Sequence, residues 1–226
     1  MPKRVDDKAF IKEYPLDDHP VFKAMSGDRL ASVIEASQEE FAKGFGFAST
    51  DRIAIDAGVS KGLLFHYFGS KRGLFLFTLK YALGRLQAEY AKETFSTGDF
   101  MDNIEKNAYF AVDLTFRYQK MYAFLTKAYG ALAEIFPEGV PTDIPRVSQE
   151  VLHRILEESD YTRFRSDIDL GRARNIICWT MTSFTQDLLV YGVDIKEQQA
   201  HYEQSLHELK EYLKILRLVF YDTEAR

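Results

Sequence analysis

The chain has 226 residues and a net charge of −5, and 46% of its side chains are hydrophobic, which suits a globular protein with a sizeable core. Its one cysteine, Cys178, excludes an intrachain disulfide. No apolar run reaches the ~18 residues of a membrane span and no signal peptide is visible, so we expect a reduced, cytoplasmic protein.

Apolar residues recur mainly at spacings of three and four, which predicts an all-α chain. Residues 1–26 form an N-terminal extension, in which Asp6 and Pro20 are candidate starts of short helical turns. Its basic side chains would suit an arm in a DNA minor groove. Five acidic side chains balance the five basic ones, however, which favours a packing or disordered extension.

Two short helices joined by a tight turn are predicted between residues 49 and 68. Ser49 and Ser60 are both preferred N-cap residues, and Gly58 supplies the positive φ that ends the first helix. Val59 is the apolar residue that fills the turn. Such a pair forms a helix-turn-helix when the second helix presents a suitable outer face.

The second short helix places Leu64 and Phe68 inward, at a spacing of four. The residues left outside are Lys61, Gly62, Phe65, His66 and Tyr67. Lys61, His66 and Tyr67 offer donors to phosphate, and Gly62 lets the backbone approach bases closely. This face favours DNA binding, and the alternative is a plain helical hairpin with Phe65 and Tyr67 in its core.

Longer helices are predicted around this motif, at 28–43, 71–95, 100–117, 119–136, 144–159, 168–191 and 195–221. With the two short ones this gives about nine helices. The proline- and glycine-containing segment 137–141 is a loop.

Charge is unevenly distributed along the chain. Residues 50–80 hold five basic and two acidic side chains, whereas residues 81–226 hold 17 basic and 23 acidic ones. A small basic segment on an acidic body is typical of a protein that touches phosphate with one end only. The local excess is small, and it gains weight only beside the motif.

The run Ala57-Gly58-Val59-Ser60-Lys61-Gly62, with Leu64 to Phe68, Ser70-Lys71 and Leu74 after it, resembles the signature of TetR-family transcriptional regulators. Upstream, Ile34, Phe41, Gly44-Phe45, Ser49-Thr50 and Ile53-Ala54 fit the same pattern. The resemblance covers about residues 28–80, and beyond them only helix number and length agree. It implies a three-helix DNA-binding domain at 27–70 and a helical ligand-binding and dimerisation domain at 71–226.

The resemblance also implies a set of DNA-contacting residues: Ser49, Thr50, Arg52, Lys61, Gly62, Leu63, Phe65, His66, Tyr67 and Lys71. Lys61 and Gly62 would lie nearest the base edges, and Lys71 would anchor the next helix on the backbone. Leu63 and Phe65 stand where Thr and Tyr are common in the family. These two would touch thymine methyl groups instead of donating to phosphate.

Residues 202–220 carry an apolar stripe of coiled-coil spacing. The resemblance implies that the last two long helices form a four-helix bundle across a two-fold axis, which fits a palindromic operator. The predicted dimer residues are Ile177, Phe184, Leu188, Leu206, Leu209, Leu213, Leu216 and Phe220. The alternative is that these stripes pack only within one chain.

The body is rich in aromatic side chains, and an apolar or aromatic effector is predicted to bind among them. The candidate pocket residues are Tyr109, Phe110, Asp113, Phe116, Arg117, Tyr122, Tyr129, Trp179 and Phe184, with His153 and Gln186 as further polar candidates. An effector between the helices predicted at 71–95 and 144–159 would tilt the former and release DNA. Plain core packing is the alternative for each aromatic, and a helix-surface ion pair for Asp113 and Arg117.

Other classes of function have weaker support in the sequence. The five histidines form no metal-ligand spacing, and Gly44-Phe45-Gly46 lacks the rest of a dinucleotide fingerprint, so we expect no cofactor, no metal and no catalysis. Two readings stay open beside a repressor. They are a protein of the same fold that organises chromosomes and a helical protein that only binds small molecules.

Overall fold

A computed structural model describes residues 19–95, 98–141, 147–190 and 198–222, without the side chains of 148, 186, 188–190, 198 and 199. Residues 1–18 of the predicted extension lie outside the described residues. The described chain contains no β-strand and ten helices, which are α1 Val21–Ala24, α2 Gly27–Phe41, α3 Thr50–Asp56, α4 Lys61–Phe68, α5 Lys71–Tyr90, α6 Phe100–Arg117, α7 Gln119–Ile135, α8 Val147–Glu158, α9 Leu170–Val190 and α10 Gln198–Phe220. The predicted all-α fold is confirmed.

The helices cluster into two compact units. The N-terminal unit takes the described residues of 4–90 and 118–147, and therefore contains α1 to α5 and α7. The C-terminal unit takes 91–117 and the described residues from 149 onward, with α6, α9, α10 and nearly all of α8. The predicted functional domains, 27–70 and 71–226, follow chain order instead and stay a prediction.

The N-terminal unit is built around α2, which packs against α3, α5 and α7. Phe41 of α2, Phe75 of α5 and Phe124 of α7 are fully buried. The Phe75 ring meets Phe41 edge-on at 5.3 Å and Phe124 at 5.6 Å between centroids, a geometry that aromatic rings prefer. This cluster fixes α2, on which the helix-turn-helix rests.

In the C-terminal unit α6 packs against α9 and α10. The buried apolar side chains at this packing include Ile104 and Ala108 of α6, Ala173 and Ile177 of α9, and Leu209 and Leu213 of α10. Two isolated bridges, Asp99 with Asp160 and Phe164 with Tyr221, tie the chain before α6 and after α10 to the segment between α8 and α9.

Helix bounds agree with the prediction to within three residues at the described ends, except for α5. That helix was expected to reach residue 95 and ends at Tyr90. Phe95 is buried against Phe110, with ring centroids 5.6 Å apart, and Lys106 Nζ donates to the Thr94 carbonyl at 2.6 Å. These contacts hold residues 94–95 in a non-helical path, which helix periodicity does not reveal.

Candidate nucleic-acid interface

The turn between α3 and α4 forms through local hydrogen bonds. The Ser49 hydroxyl accepts the Arg52 amide at 3.4 Å and caps α3. Gly58 has a φ of 65°, which places the Val59 amide 2.9 Å from the Ala54 carbonyl. This left-handed glycine closes α3 as predicted, because a side chain there would be strained.

The recognition helix α4 begins at a second serine cap, since the Ser60 hydroxyl accepts the Leu63 amide at 3.1 Å. Leu64 and Phe68 are buried, as predicted. Lys61, Gly62, Phe65 and His66 are exposed, and Leu63 and Tyr67 are half-buried. The structure therefore places the predicted α4 residues along one helix with an outward cation, an outward glycine and aromatic rings.

Three further residues predicted to contact DNA lie on the helices before and after α4. Ser49 and Thr50 are half-buried and stand at the N-terminus of α3, where unpaired amides and the helix dipole favour an anion. Lys71 is half-buried at the start of α5. Its ammonium lies 3.4 Å from the Gly46 carbonyl and 4.8 Å from the centre of the Phe45 ring, so it also anchors the loop that leads into α3.

Glu40 is a buried carboxylate that the sequence analysis missed. Its Oε1 accepts the Ser49 amide at 3.1 Å, and its Oε2 pairs with Lys43. Burial opposes the charged form, but these hydrogen bonds outweigh it and lower the pKa of Glu40. Glu40 thereby fixes the residue that caps α3, and with it the start of the candidate interface.

Two ion pairs lie on the exposed face of α3 and α4. Lys61 Nζ is 2.8 Å from Asp51 Oδ1, and Arg52 Nε is 3.0 Å from Asp56 Oδ2. The partners are ten and four residues apart in the chain. Two cations predicted to meet DNA are therefore already beside carboxylates in this structure.

Among the described side chains, no group of three or more His, Cys, Asp or Glu residues is placed to hold a metal ion. None of the described helices combines the length and hydropathy of a membrane span.

Residues 33–76, from α2 into α5, match the family model for bacterial regulatory proteins of the tetR family. This segment of the chain is therefore similar to the tetR family of bacterial regulatory proteins. The match includes the whole helix-turn-helix described above, with its caps, its glycine turn and its outward cation. A search of curated protein sequences finds no match.

Solved structures of transcriptional regulators share the fold of this chain. A TetR family transcriptional regulator from Chloroflexus aurantiacus J-10-fl aligns with a TM-score of 0.63 at 16% identity, over 90% of this chain and 98% of that one. The ketosteroid transcriptional regulator KstR2 of Mycobacterium tuberculosis aligns with a TM-score of 0.57 at 21% identity, over 86% and 95%. The fatty acid degradation regulator FadR from Bacillus halodurans gives 0.54 at 17%, over 78% and 93%.

The predicted pocket residues fall into both units. Tyr122 and Tyr129 belong to the N-terminal unit, and Tyr129 is 52% exposed. The C-terminal unit holds Tyr109, Phe110, Asp113, Phe116, Arg117, Trp179 and Phe184. His153 is exposed in the same unit, and the side chain of Gln186 lies outside the described residues.

Within the C-terminal unit these pocket candidates have different surroundings. Phe116 is buried against Tyr202, with ring centroids 5.0 Å apart. Asp113 and Arg117 form the i, i+4 ion pair that was the alternative reading, at 2.7 Å. Trp179 is 69% exposed, so in one chain it lines no interior. The pocket itself stays a prediction.

Four of the eight predicted dimer residues, Ile177, Leu209, Leu213 and Leu216, are buried within the chain. Their place in a dimer interface stays a prediction. Phe184, Leu206 and Phe220 are half-buried, and the side chain of Leu188 lies outside the described residues. Among the described side chains of α9 and α10, the large apolar residues that are exposed are Leu170, Ile176, Trp179, Tyr212, Ile215, Leu218 and Val219.

Proposed function

We propose that this chain is a DNA-binding transcriptional regulator that represses by occupying a palindromic operator as a dimer and leaves it when a small apolar or aromatic effector binds. The observation that carries the DNA-binding part is the outer face of α4. It presents Lys61, Gly62 and His66 to solvent, on a helix-turn-helix that is similar to a family of bacterial regulatory proteins. Such a face suits the major groove.

The roles proposed for individual residues follow from their positions. Lys61 and Gly62 stand in the first turn of α4, the part of a recognition helix that contacts base edges. The Tyr67 hydroxyl and His66 imidazole lie farther along α4, where they would contact the backbone. Lys71 already bonds to the Gly46 carbonyl, so we assign it to holding the interface loop as well as to phosphate.

The first experiment identifies the operator and then substitutes side chains on the outer face of α4. The purified full-length chain selects duplexes from a genomic fragment library, and a gel shift measures the affinity of Lys61→Ala, Tyr67→Ala and Tyr67→Phe for the selected operator. Lys61→Ala is expected to weaken binding about tenfold or more. Lys127→Ala, an exposed lysine on α7, is the matched control. If all three α4 variants bind the operator as tightly as the wild type, this face of α4 is not the DNA-binding surface.

The dimer is proposed to form through the apolar side chains that one chain leaves exposed on α9 and α10. Trp179 is 69% exposed, Leu218 61% and Ile215 56%, an unusual set for a solvated helix face. Sedimentation at micromolar concentration tests this surface. The wild type is expected as a dimer, and Trp179→Glu or Leu218→Glu as a monomer.

Val140→Glu provides the matched control for those variants, because Val140 is also exposed, at 42%, but lies after α7. It is expected to leave the dimer intact. A monomeric wild type would refute the dimer, and dimeric Trp179→Glu and Leu218→Glu variants would refute this surface.

Effector release is proposed because the body is rich in aromatic side chains and the fold is shared with regulators named for ketosteroids and for fatty acid degradation. Steroid ketones and long-chain fatty acids are therefore the first probes for release from the operator. Linkage requires that a compound which weakens DNA binding is itself bound less tightly by the DNA complex. If no compound of either class releases the operator, the apolar-effector part of the proposal fails.

A further inference from the structure

The carboxylate of Asp51 on α3 contacts the Lys61 ammonium on the outer face of the helix-turn-helix. It lies 2.8 Å from Lys61 Nζ through one oxygen and 2.9 Å through the other. Half of the Lys61 side chain and 64% of the Asp51 side chain are exposed. The cation proposed to meet DNA is thus both held by an anion of this chain and accessible to an anion from outside.

We propose that Asp51 is a specificity-determining residue, which masks Lys61 from sequence-independent attraction to phosphate while leaving it able to read a base. This inference rests on the proposed function. Asp56 masks Arg52 in the same way. Its carboxylate accepts a hydrogen bond from Arg52 Nε at 3.0 Å.

The masking follows from the physics of non-specific binding. Affinity for DNA of any sequence comes mainly from cations that neutralise phosphates and release counterions. A carboxylate in contact with Lys61 cancels its charge at the range of a phosphate, and it also repels the phosphates nearest to it. The ion pair is exposed and therefore weak. It lowers the affinity for DNA of any sequence, but it does not immobilise the Lys61 side chain.

Base reading makes a different demand on Lys61. An ammonium carries three N–H donors, and Asp51 engages only part of them. A donor that remains can reach the N7 or O6 acceptor of a guanine while Asp51 still holds the side chain in place. The Phe65 ring, 5.9 Å from Nζ, flanks the same ammonium. Asp51 therefore opposes the phosphate attraction of Lys61 more than its contact with a base.

Arg52 and Asp56 form a second exposed ion pair, whose partners are closer in the chain than Asp51 and Lys61 are. They lie one turn apart on α3, and 61% of Arg52 and 38% of Asp56 is exposed. Both pairs join a cation of the proposed interface to a carboxylate of α3.

The test measures binding of a labelled random-sequence duplex by fluorescence anisotropy across a range of salt concentrations. The variants are Asp51→Asn, Lys61→Ala and the double variant Asp51→Asn with Lys61→Ala. Asp51→Asn is expected to raise affinity about three- to tenfold at low salt and to steepen its salt dependence by up to about one counterion per subunit. In the Lys61→Ala background the gain is expected to be about twofold smaller, because only the lost repulsion between Asp51 and phosphate then remains.

Glu35→Gln is the matched control. Glu35 is on α2 of the same unit, is 55% exposed and pairs with Lys120, so its neutralisation changes the net charge equally away from the face. It is expected to change affinity less than about twofold. On the selected operator, Asp51→Asn is expected to gain less than on the random duplex, which lowers the specificity ratio.

The outcomes separate this inference from the function on which it rests. If Lys61→Ala weakens operator binding but Asp51→Asn behaves like Glu35→Gln, only the masking fails. An equal gain with and without Lys61 also overturns it, because the effect is then general electrostatics. If Lys61→Ala and Tyr67→Phe both leave DNA binding unchanged, the proposed interface fails and the masking with it. Thermal melting of each variant checks that the fold is retained.

Discussion

The α3–α4 face and the end of α10 contain the same kinds of charged side chain, but they bury them differently. On the α3–α4 face Lys61 and Asp51 pair while half or more of each side chain is exposed. At the end of α10 the Tyr221 side chain is buried, and its hydroxyl donates to the Asp99 carboxylate at 2.8 Å and accepts the Met101 amide at 3.0 Å. Asp99 keeps only 9% of its side chain exposed.

The polar network around Tyr221 also joins more side chains than the ion pairs on the α3–α4 face do. Arg217 of α10 reaches Asp102 and Glu105 of α6 at 2.7 Å each, and Arg163 stacks over the Tyr221 ring at 5.2 Å. Burial and the nearby Asp99 raise the pKa of the Tyr221 hydroxyl, so it stays a donor at neutral pH. Such a network joins α6, α10 and the segment between α8 and α9 into one unit.

The Tyr221 network and the Lys61–Asp51 pair are therefore suited to different tasks. A buried and fully bonded polar group costs much to disrupt, so the Tyr221 network is a structural fastening. An exposed ion pair is worth about 0–1 kcal/mol, so the Lys61 pair can exchange partners.

Removing Tyr221 is expected to have the largest effect. Tyr221→Ala deletes a buried ring and the donor of the Asp99 carboxylate, and should lower the free energy of unfolding by about 3–5 kcal/mol. Tyr221→Phe keeps the ring and should cost about 1–2 kcal/mol. Urea unfolding at one protein concentration measures both. A Tyr221→Ala cost below about 1 kcal/mol would contradict the fastening.

Glu40 is a buried carboxylate of the N-terminal unit, and it tests whether burial, and not the choice of unit, makes the difference. Glu40→Gln keeps an oxygen for the Ser49 amide but loses the charge beside Lys43, and is expected to cost about 1–2 kcal/mol at neutral pH. Glu39→Gln, an exposed change on the same helix, is the control and should cost less.

The effect of Glu40→Gln is also expected to depend on pH. The folded pKa of Glu40 is lowered from the ordinary value of 4.5, so its stabilisation is complete above that value and is lost as pH falls through the folded pKa. The difference between wild type and variant should therefore shrink below about pH 4.5. A difference that stays constant down to pH 3 would show that the charge contributes nothing.

The helix-turn-helix was predictable from sequence because its signals are local. Ser49, Gly58 and Ser60 each act within three or four residues, so caps and turn follow from chain order alone. Leu64 and Phe68 then had to face inward at a spacing of one helical turn. The same local rules set most helix bounds to within three residues.

The contacts that the sequence analysis missed join residues that local rules do not connect. The Glu40 carboxylate meets an amide nine residues away, and Asp51 meets Lys61 across the turn at ten. The stripe on α10 shows a related limit. Its spacing identified an apolar side, but not whether Leu209 and Leu213 pack in their own chain or in a second copy, and the structure buries them in their own chain.

Two glycines of the helix-turn-helix should respond to alanine with opposite signs in stability. Gly58 has a positive φ with open space around it, so Gly58→Ala pays only the backbone strain, about 1 kcal/mol. Gly62 lies in α4, and a Cβ added there would have the Ser60 hydroxyl, at 4.0 Å, as its nearest neighbour. Gly62→Ala should therefore stabilise the chain by about 0.5–1 kcal/mol.

The value of Gly62 is then visible only in DNA binding. If its missing side chain lets α4 approach the bases, Gly62→Ala weakens operator binding although it melts higher. Thermal melting and a gel shift on one preparation measure both quantities. A variant that is more stable and binds as tightly as the wild type would remove Gly62 from the interface.

The smallest expected effect is the contribution of the Lys61 pair to stability. A double-mutant cycle with Asp51→Asn and Lys61→Ala should give a coupling energy below about 0.5 kcal/mol, against about 1 kcal/mol or more for a cycle with Tyr221→Phe and Asp99→Asn. Equal couplings would remove the contrast between the two regions. A small coupling for the Lys61 pair is what its proposed role requires, because Lys61 has to turn one donor toward a base while Asp51 stays beside it.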